Sequence, residues 1–123
     1  MDKLDFIGQQ MSALGIPYEF MEWTDEIIPD RYFVGEYTEI PPDDESGLEE
    51  SQIILTGTTR ENWLLLEQDK EKIKKHFPPI GGLCAKTDSG RIAAFYAGSF
   101  PVSTGEMDLK RIQINIDIKE WKV

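Results

Sequence analysis

The side chains of this sequence that could support chemistry begin with a dense group of carboxylates. Five of them fall within an eight-residue stretch: Asp43, Asp44, Glu45, Glu49 and Glu50. Such carboxylates can hold a divalent cation through their oxygens or act as a glycosidase-type pair. Their spacing differs from that of an EF-hand, whose ligands alternate over about twelve residues around a fixed glycine. We interpret the group as a solvated loop that contacts a partner, with metal binding as the alternative.

The single histidine and the single cysteine give little scope for nucleophilic catalysis. A nucleophilic side chain needs a neighbouring base, and thiolate zinc sites need several cysteines. His76 falls at the end of a predicted helix, and we expect it on the surface. Cys84 lies in an apolar stretch, Gly82-Leu83-Cys84-Ala85, and is predicted to be a small buried side chain. Apart from the acidic group, the sequence therefore predicts no catalytic residues, no cofactor and no metal ligands.

The charge balance narrows the choice of partners. The chain of 123 residues carries 23 acidic and 13 basic side chains, giving a net charge of −10. Nucleic-acid binding depends on cationic groups that neutralise phosphates, and anionic membranes attract cationic segments. No apolar run approaches the ~20 residues that span a bilayer, and the first residues lack the pattern of a signal peptide. We therefore expect a cytoplasmic protein without specific nucleic-acid binding or membrane attachment.

Two amphipathic helices are predicted. Over residues 2–14, apolar side chains recur at helical spacing, and Gly15 provides a stop. The second helix is predicted to begin at Thr58, which has the spacing of a capping box with Glu61, and to end at Pro78. Together the two helices can cover one face of a sheet.

The clearest predicted strand covers residues 112–119, where isoleucines alternate strictly with polar residues. This period of two places one face in the core and leaves the other polar. The other predicted strands are residues 18–23, 31–40, 51–57, 83–86 and 91–98, with loops at 41–47 and 99–107.

Short loops between most of these strands favour antiparallel pairing. Residues 18–23 and 31–40 are predicted to form a hairpin, and residues 51–57 to be covered on both faces. The sequence thus predicts one α+β domain over residues 1–123. Its sheet is expected to be antiparallel or mixed, with four to five strands and two helices packed on it.

Aromatic side chains crowd the region between residues 18 and 37. Because side chains alternate along a strand, two hairpinned strands cannot point all of them inward. Either helices cover both faces of the strands, or some aromatic residues serve as anchors in an oligomer contact. The candidate interface residues, with the acidic group added, are Tyr32, Phe33, Tyr37, Asp43, Asp44, Glu45, Glu49 and Glu50.

The order of elements and several stretches of sequence resemble a known class of protein. The stretches are Leu14-Gly15-Ile16-Pro17, residues 31–37 followed by Pro41-Pro42, Ile53-Ile54-Leu55-Thr56-Gly57, and the helix from Trp63 to Phe77-Pro78. Together they resemble small proteins encoded in tail-assembly modules of phages and prophages of Gram-positive bacteria. In fold order the chain is similar to tail terminator and tail-completion proteins.

The resemblance implies a structural protein without catalytic residues. Tail terminators form rings, typically hexameric, that cap the tail tube and offer a docking face to the head connector. The implied partners are further copies of this chain, the tail tube protein and the head–tail connector protein. The implied locations are the host cytoplasm during assembly and the tail of the virion. A monomeric protein-binding module and an acidic-loop metal-binding domain are the alternatives.

Overall fold

The computed structural model of the protein describes residues 3–41, 48–88 and 90–122. In chain order the elements are α1 (Lys3–Ala13), β1 (Tyr18–Phe20), β2 (Arg31–Ile40), β3 (Leu48–Thr59), α2 (Trp63–His76), β4 (Leu83–Thr87), β5 (Gly90–Val102) and β6 (Lys110–Lys122). The predicted α+β class with two helices is confirmed. The sheet is mixed and curled, and it has six strands rather than the four to five expected.

The sheet has the strand order β1-β2-β3-β6-β5-β4. β1 pairs in parallel with β2, placing Tyr18 beside Phe33, and all the other pairs are antiparallel. The predicted hairpin between the first two strands is therefore wrong. A hairpin needs antiparallel neighbours, whereas residues 21–30 carry the chain back to the starting level of β1 before β2 begins.

The core lies on one side of this sheet, with β6 at its centre. The predicted alternation of β6 is confirmed, because Ile112, Ile114, Ile116 and Ile118 are all buried. Ile116 and Ile114 pair across the sheet with Ile53 and Leu55 of β3. The intervening Ile54 is only half-buried. β3 is thus covered on one face, not on both as predicted.

Both helices cover the same face of the sheet. α1 contributes Phe6, Ile7 and Met11 to the core, and α2 contributes Leu66 and Ile73. The sheet residues in this core cluster all share the orientation of the buried isoleucines of β6. We call this side the helix face and the opposite side the open face, since no described helix packs on it. Within the described residues, neither helix is long and apolar enough to cross a membrane.

The start of α2 differs from the predicted capping box. Thr58 and Thr59 belong to β3, where their backbones continue the ladder with β6. The helix is instead capped by Asn62, whose side-chain oxygen accepts a hydrogen bond of 2.9 Å from the backbone N–H of Leu64. Sheet pairing of the two threonines outweighs their capping preference.

Two further predictions need adjustment. β5 continues to Val102, so the loop that follows it is shorter than predicted. His76 is half-buried, and its Nε2 lies 2.6 Å from Oε1 of Gln10 on α1. The histidine therefore joins the ends of the two helices instead of projecting freely from the surface.

Candidate assembly surfaces

The open face has a polar centre and an apolar side. Gln113, Asn115 and Asp117 of β6 occupy the centre and are half-buried. Neighbouring β5 presents Phe95 and Phe100 to the same face, and Phe100 is 47% exposed. A sheet face of this composition can contact another protein without being a second core.

The polar centre is internally organised. Nε2 of Gln52 donates a hydrogen bond of 3.1 Å to Oδ1 of Asp117. The ammonium of Lys119 lies 5.8 Å from the ring centre of Phe95. Among the described residues, the buried side-chain oxygen of Asn115 has no hydrogen-bond partner.

One edge of the sheet is only partly covered. β1 pairs with Phe33 to Gly35 and ends there, which leaves residues 36–40 of β2 as an open edge, here named the β2 edge segment. The backbone N–H of Phe33 and the carbonyl of Gly35 both bond toward this side. With the same alternation, the backbone groups of Tyr37 and Glu39 point outward, where the described chain supplies no further strand. Such an edge is a template for pairing with another chain.

The opposite edge is also covered over half its length. β4 pairs only with residues 90–94, and no other strand in the described ranges lies beside residues 97–102 of β5, which form a second open edge, the β5 edge segment. The N–H of Tyr96 is bonded to the carbonyl of Phe77, and a bulge follows it. Beyond the bulge, the backbone groups of Ser99 and Pro101 point outward, away from β6. Proline has no N–H to donate, which suits an edge position.

The two edges have complementary steps. On the first edge, β1 protrudes beside residues 33–35 and the β2 edge segment is recessed. On the second edge, β4 protrudes and the β5 edge segment is recessed. One row across the sheet joins the two edges: Ile40, Glu50, Lys119, Ala93 and Cys84 pair in that order.

Cys84 is exposed, which contradicts the predicted buried position. Its neighbours Leu83 and Ala85 pack against the core. Because side chains alternate along β4, Cys84 faces the open side, and no strand among the described residues covers the outer edge of β4.

The three aromatic candidates have three different environments. Tyr32 is half-buried on the open face, with its ring centre 5.1 Å from that of Trp23. Phe33 is fully buried on the helix face, where its ring packs over Gly57. Phe33 therefore has no surface to offer a partner. Tyr37, on the β2 edge segment, is 42% exposed and remains available for contact.

The acidic candidates divide in a similar way. Glu49 and Glu50 belong to β3 and not to a loop. Glu49 pairs with the ammonium of Lys122 at 3.0 Å. Asp43, Asp44 and Glu45 lie outside the described residues. Within the described ranges, no group of three or more His, Cys, Asp or Glu side chains is arranged to hold a metal ion.

Sequence reasoning missed a set of exposed apolar side chains in loops. Ile27 and Ile28 precede β2, and Met107 lies between β5 and β6. Ile28 is 69% exposed. The signal was present, since two isoleucines next to Pro29-Asp30 are unusual in a turn. Exposed apolar residues grouped in this manner are typical of contact surfaces.

Comparison with known proteins gives no assignment. No protein-family model matches the chain, and no curated protein matches it significantly.

Proposed function

We propose that this chain is a non-enzymatic structural protein of a phage or prophage tail. In this proposal it caps the tail tube as a ring and joins the tube to the head connector. The observation that supports self-assembly most strongly is the complementary stepping of the two sheet edges. The assignment to a tail terminator rests on the resemblance in sequence and element order described above.

The strand directions favour head-to-tail association. β2, β6 and β4 run in one direction, and β3 and β5 run in the other. A neighbouring copy in the same orientation places its β4 parallel to the β2 edge segment, while its β5 edge segment lies antiparallel to β1. Contacts between two different surfaces of identical copies generate a ring when the rotation closes. A hexamer is the size implied by the resemblance.

Charge also favours this arrangement over a two-fold dimer. Pairing two β2 edge segments with each other would bring Glu36 and Glu39 of both copies together, and like charges across strands are destabilising. In the head-to-tail arrangement, each β2 edge segment instead faces the opposite edge of the neighbouring copy, where β4 carries Lys86 and no acidic residue, so the glutamates of two copies do not face each other.

The ring needs further surfaces for the tail tube and the connector. The exposed Ile27, Ile28 and Met107 supply apolar contacts at one end of the sheet. The net charge of −10 offers passing DNA few phosphate-neutralising groups. The proposed locations are the host cytoplasm during assembly and the virion tail afterwards.

Gene deletion in the parent phage or prophage tests this function. Particles lacking the protein should show overlong tails or heads without joined tails in electron micrographs, and a plasmid copy of the gene should restore normal particles. Normal virions from the deletion strain would exclude the proposed function.

A monomeric protein-binding module is the second candidate. The exposed apolar loop residues favour it, because they would serve a single partner as well as a ring. It predicts normal tails in the deletion strain and one monomer mass at every protein concentration.

A further inference from the structure

A cleft at one end of the open face contains an arginine that has no acidic partner within the described part of the chain. Tyr32, Thr58 and Arg111 lie side by side on β2, β3 and β6. Above them is a cavity of about 630 Å³, with Ile28 and Leu109 among its walls. Two neighbouring cavities also reach Arg111, one along the open face and one at the end of the sheet beside the loop between β5 and β6.

The guanidinium of Arg111 uses only part of its hydrogen-bonding capacity within the described residues. Its Nε donates a hydrogen bond of 3.4 Å to the hydroxyl of Thr58. Among the described residues, no carboxylate lies within ion-pair distance of Arg111. By contrast, Arg31 pairs with Asp69 at 3.0 Å and Arg60 with Asp108 at 2.8 Å.

This contrast matters because the chain has 23 acidic residues and Arg111 is half-buried. A partly desolvated charge without a partner is unfavourable. A ligand that brings a negative group would remove this cost. The planar guanidinium fork also matches a carboxylate in a bidentate geometry.

We propose that this cleft binds a carboxylate carried by a segment of a partner polypeptide. The two terminal nitrogens of Arg111 bind the carboxylate oxygens. Ile28 and Leu109 hold apolar side chains next to the carboxylate in the bound segment. The site is separate from the two sheet edges and does not depend on the proposed tail function.

The charges around the cleft favour a single carboxylate over a polyanion. Asp30 and Glu61 line the same cavity, together with Arg60, whose guanidinium is already paired with Asp108 at 2.8 Å, and Glu36 lines a neighbouring cavity. These acids repel a run of phosphates, whereas one carboxylate can be held by Arg111 at close range. Nucleic acid is therefore disfavoured as the occupant.

Titration with short peptides, followed by amide NMR, tests this site. The probe is N-acetyl-Leu-Glu-Leu-amide, and its matched control replaces Glu by Gln. The Glu peptide should shift the amide signals of Tyr32, Thr58 and Arg111, while the Gln peptide should bind about tenfold more weakly. Equal binding of the two peptides, or stronger binding of a short oligonucleotide than of the Glu peptide, would overturn the proposal.

Variants of the protein identify the residue responsible. Arg111→Gln should weaken binding of the Glu peptide by about tenfold. Arg91→Gln, which changes an exposed arginine near the other end of the open face, should leave it unchanged. If Arg111→Gln does not fold, Arg111→Lys keeps the charge but loses the planar fork and should still bind more weakly. Undiminished binding by the folded Arg111 variant would contradict the assignment.

Discussion

The guanidinium of Arg31 on β2 holds the buried carboxylate of Asp69 on α2. Nε of Arg31 lies 3.0 Å from Oδ2, and its Nη2 lies 3.4 Å from Oδ1. Asp69 is 2% exposed. The hydrogen bonds to Asp69 raise the pKa of Arg31 above its usual value. This contact ties the second helix to the strand that carries the β2 edge segment.

Removing one partner of this pair should destabilise the fold strongly. Asp69→Ala removes the nearer partner of the partly buried Arg31 guanidinium and leaves it Asp30 at 3.6 Å, and we expect a loss of about 3 kcal/mol in the free energy of unfolding. Urea denaturation measures this loss. The double variant Arg31→Met/Asp69→Leu should lose less, because no buried charge is left unpaired. Arg60→Ala is the control, because the ion pairs of Arg60 are solvent-exposed. This variant should change the midpoint of urea denaturation little.

The central strand should tolerate changes on only one of its faces. Ile114 is fully buried beside Leu55, so Ile114→Ala should cost roughly 2–5 kcal/mol. Gln113, the next residue, faces the open side, and Gln113→Ala should change stability by no more than about 0.5 kcal/mol. Denaturation curves of the two variants check this contrast. Similar losses for both would mean that the open face is as tightly packed as the core.

The buried hydroxyl of Tyr18 should make the free energy of unfolding fall at alkaline pH. Burial raises the pKa of its hydroxyl from 10.0 to about 12. Below pH 10 the group is neutral in both states and its contribution is fully present. As the pH rises from 10 to about 12, the Tyr18 hydroxyl loses its proton in the unfolded chain before it does so in the folded protein. The free energy of unfolding therefore falls over this range. Tyr18→Phe should lose less stability than the wild type between pH 10 and 12, as measured by urea midpoints. Parallel losses would contradict the burial of the hydroxyl.

The outward N–H of Glu39 allows a test of edge pairing that leaves the fold intact. Glu39→Pro removes this donor without breaking the ladder to β3, because proline is tolerated on sheet edges. We expect a nearly unchanged melting temperature and no rescue of tailed particles in the deletion strain. Glu39→Gln removes the same charge but keeps the N–H, and it should rescue. Rescue by a well-folded Glu39→Pro would argue against pairing at this edge.

The elements that could be predicted are those with a strong local pattern. β6 was predictable because the alternation of its isoleucines is a property of the sequence alone. The parallel pairing of β1 was not, because β1 has only three residues and its neighbour is set by the path of residues 21–30. The start of α2 was misplaced because pairing of Thr58 with Arg111 depends on a distant strand.

The candidate surfaces depend even more on tertiary arrangement. Cys84 sits among apolar neighbours, and the sequence does not reveal that its strand is the last in the sheet. Phe33 and Tyr37 have the same orientation on one strand, yet Phe33 is buried beneath the helices and Tyr37 lies beyond the end of β1. The Arg111 cleft exists only because residues 32, 58 and 111 meet in one row.

The head-to-tail pairing of edges can be measured directly with the native cysteine. Cys84 on β4 and Ile40 on the β2 edge segment lie in the same row and on the same face. If β4 of one copy pairs with β2 of the next, their backbones lie about 4.8 Å apart, within reach of a disulfide. Ile40 is 45% exposed, so its replacement should not disturb the core.

The measurement is the mass distribution of oxidised Ile40→Cys protein on a non-reducing gel. Head-to-tail pairing predicts a ladder of disulfide-linked multimers that ends at the ring size and disappears on reduction. Ile40→Cys/Cys84→Ser should remain monomeric, because head-to-tail pairing keeps residue 40 of one copy away from residue 40 of the next. Ile40→Cys protein that remains monomeric under oxidation, or Ile40→Cys/Cys84→Ser protein that forms disulfide-linked dimers, would contradict head-to-tail pairing of the edges.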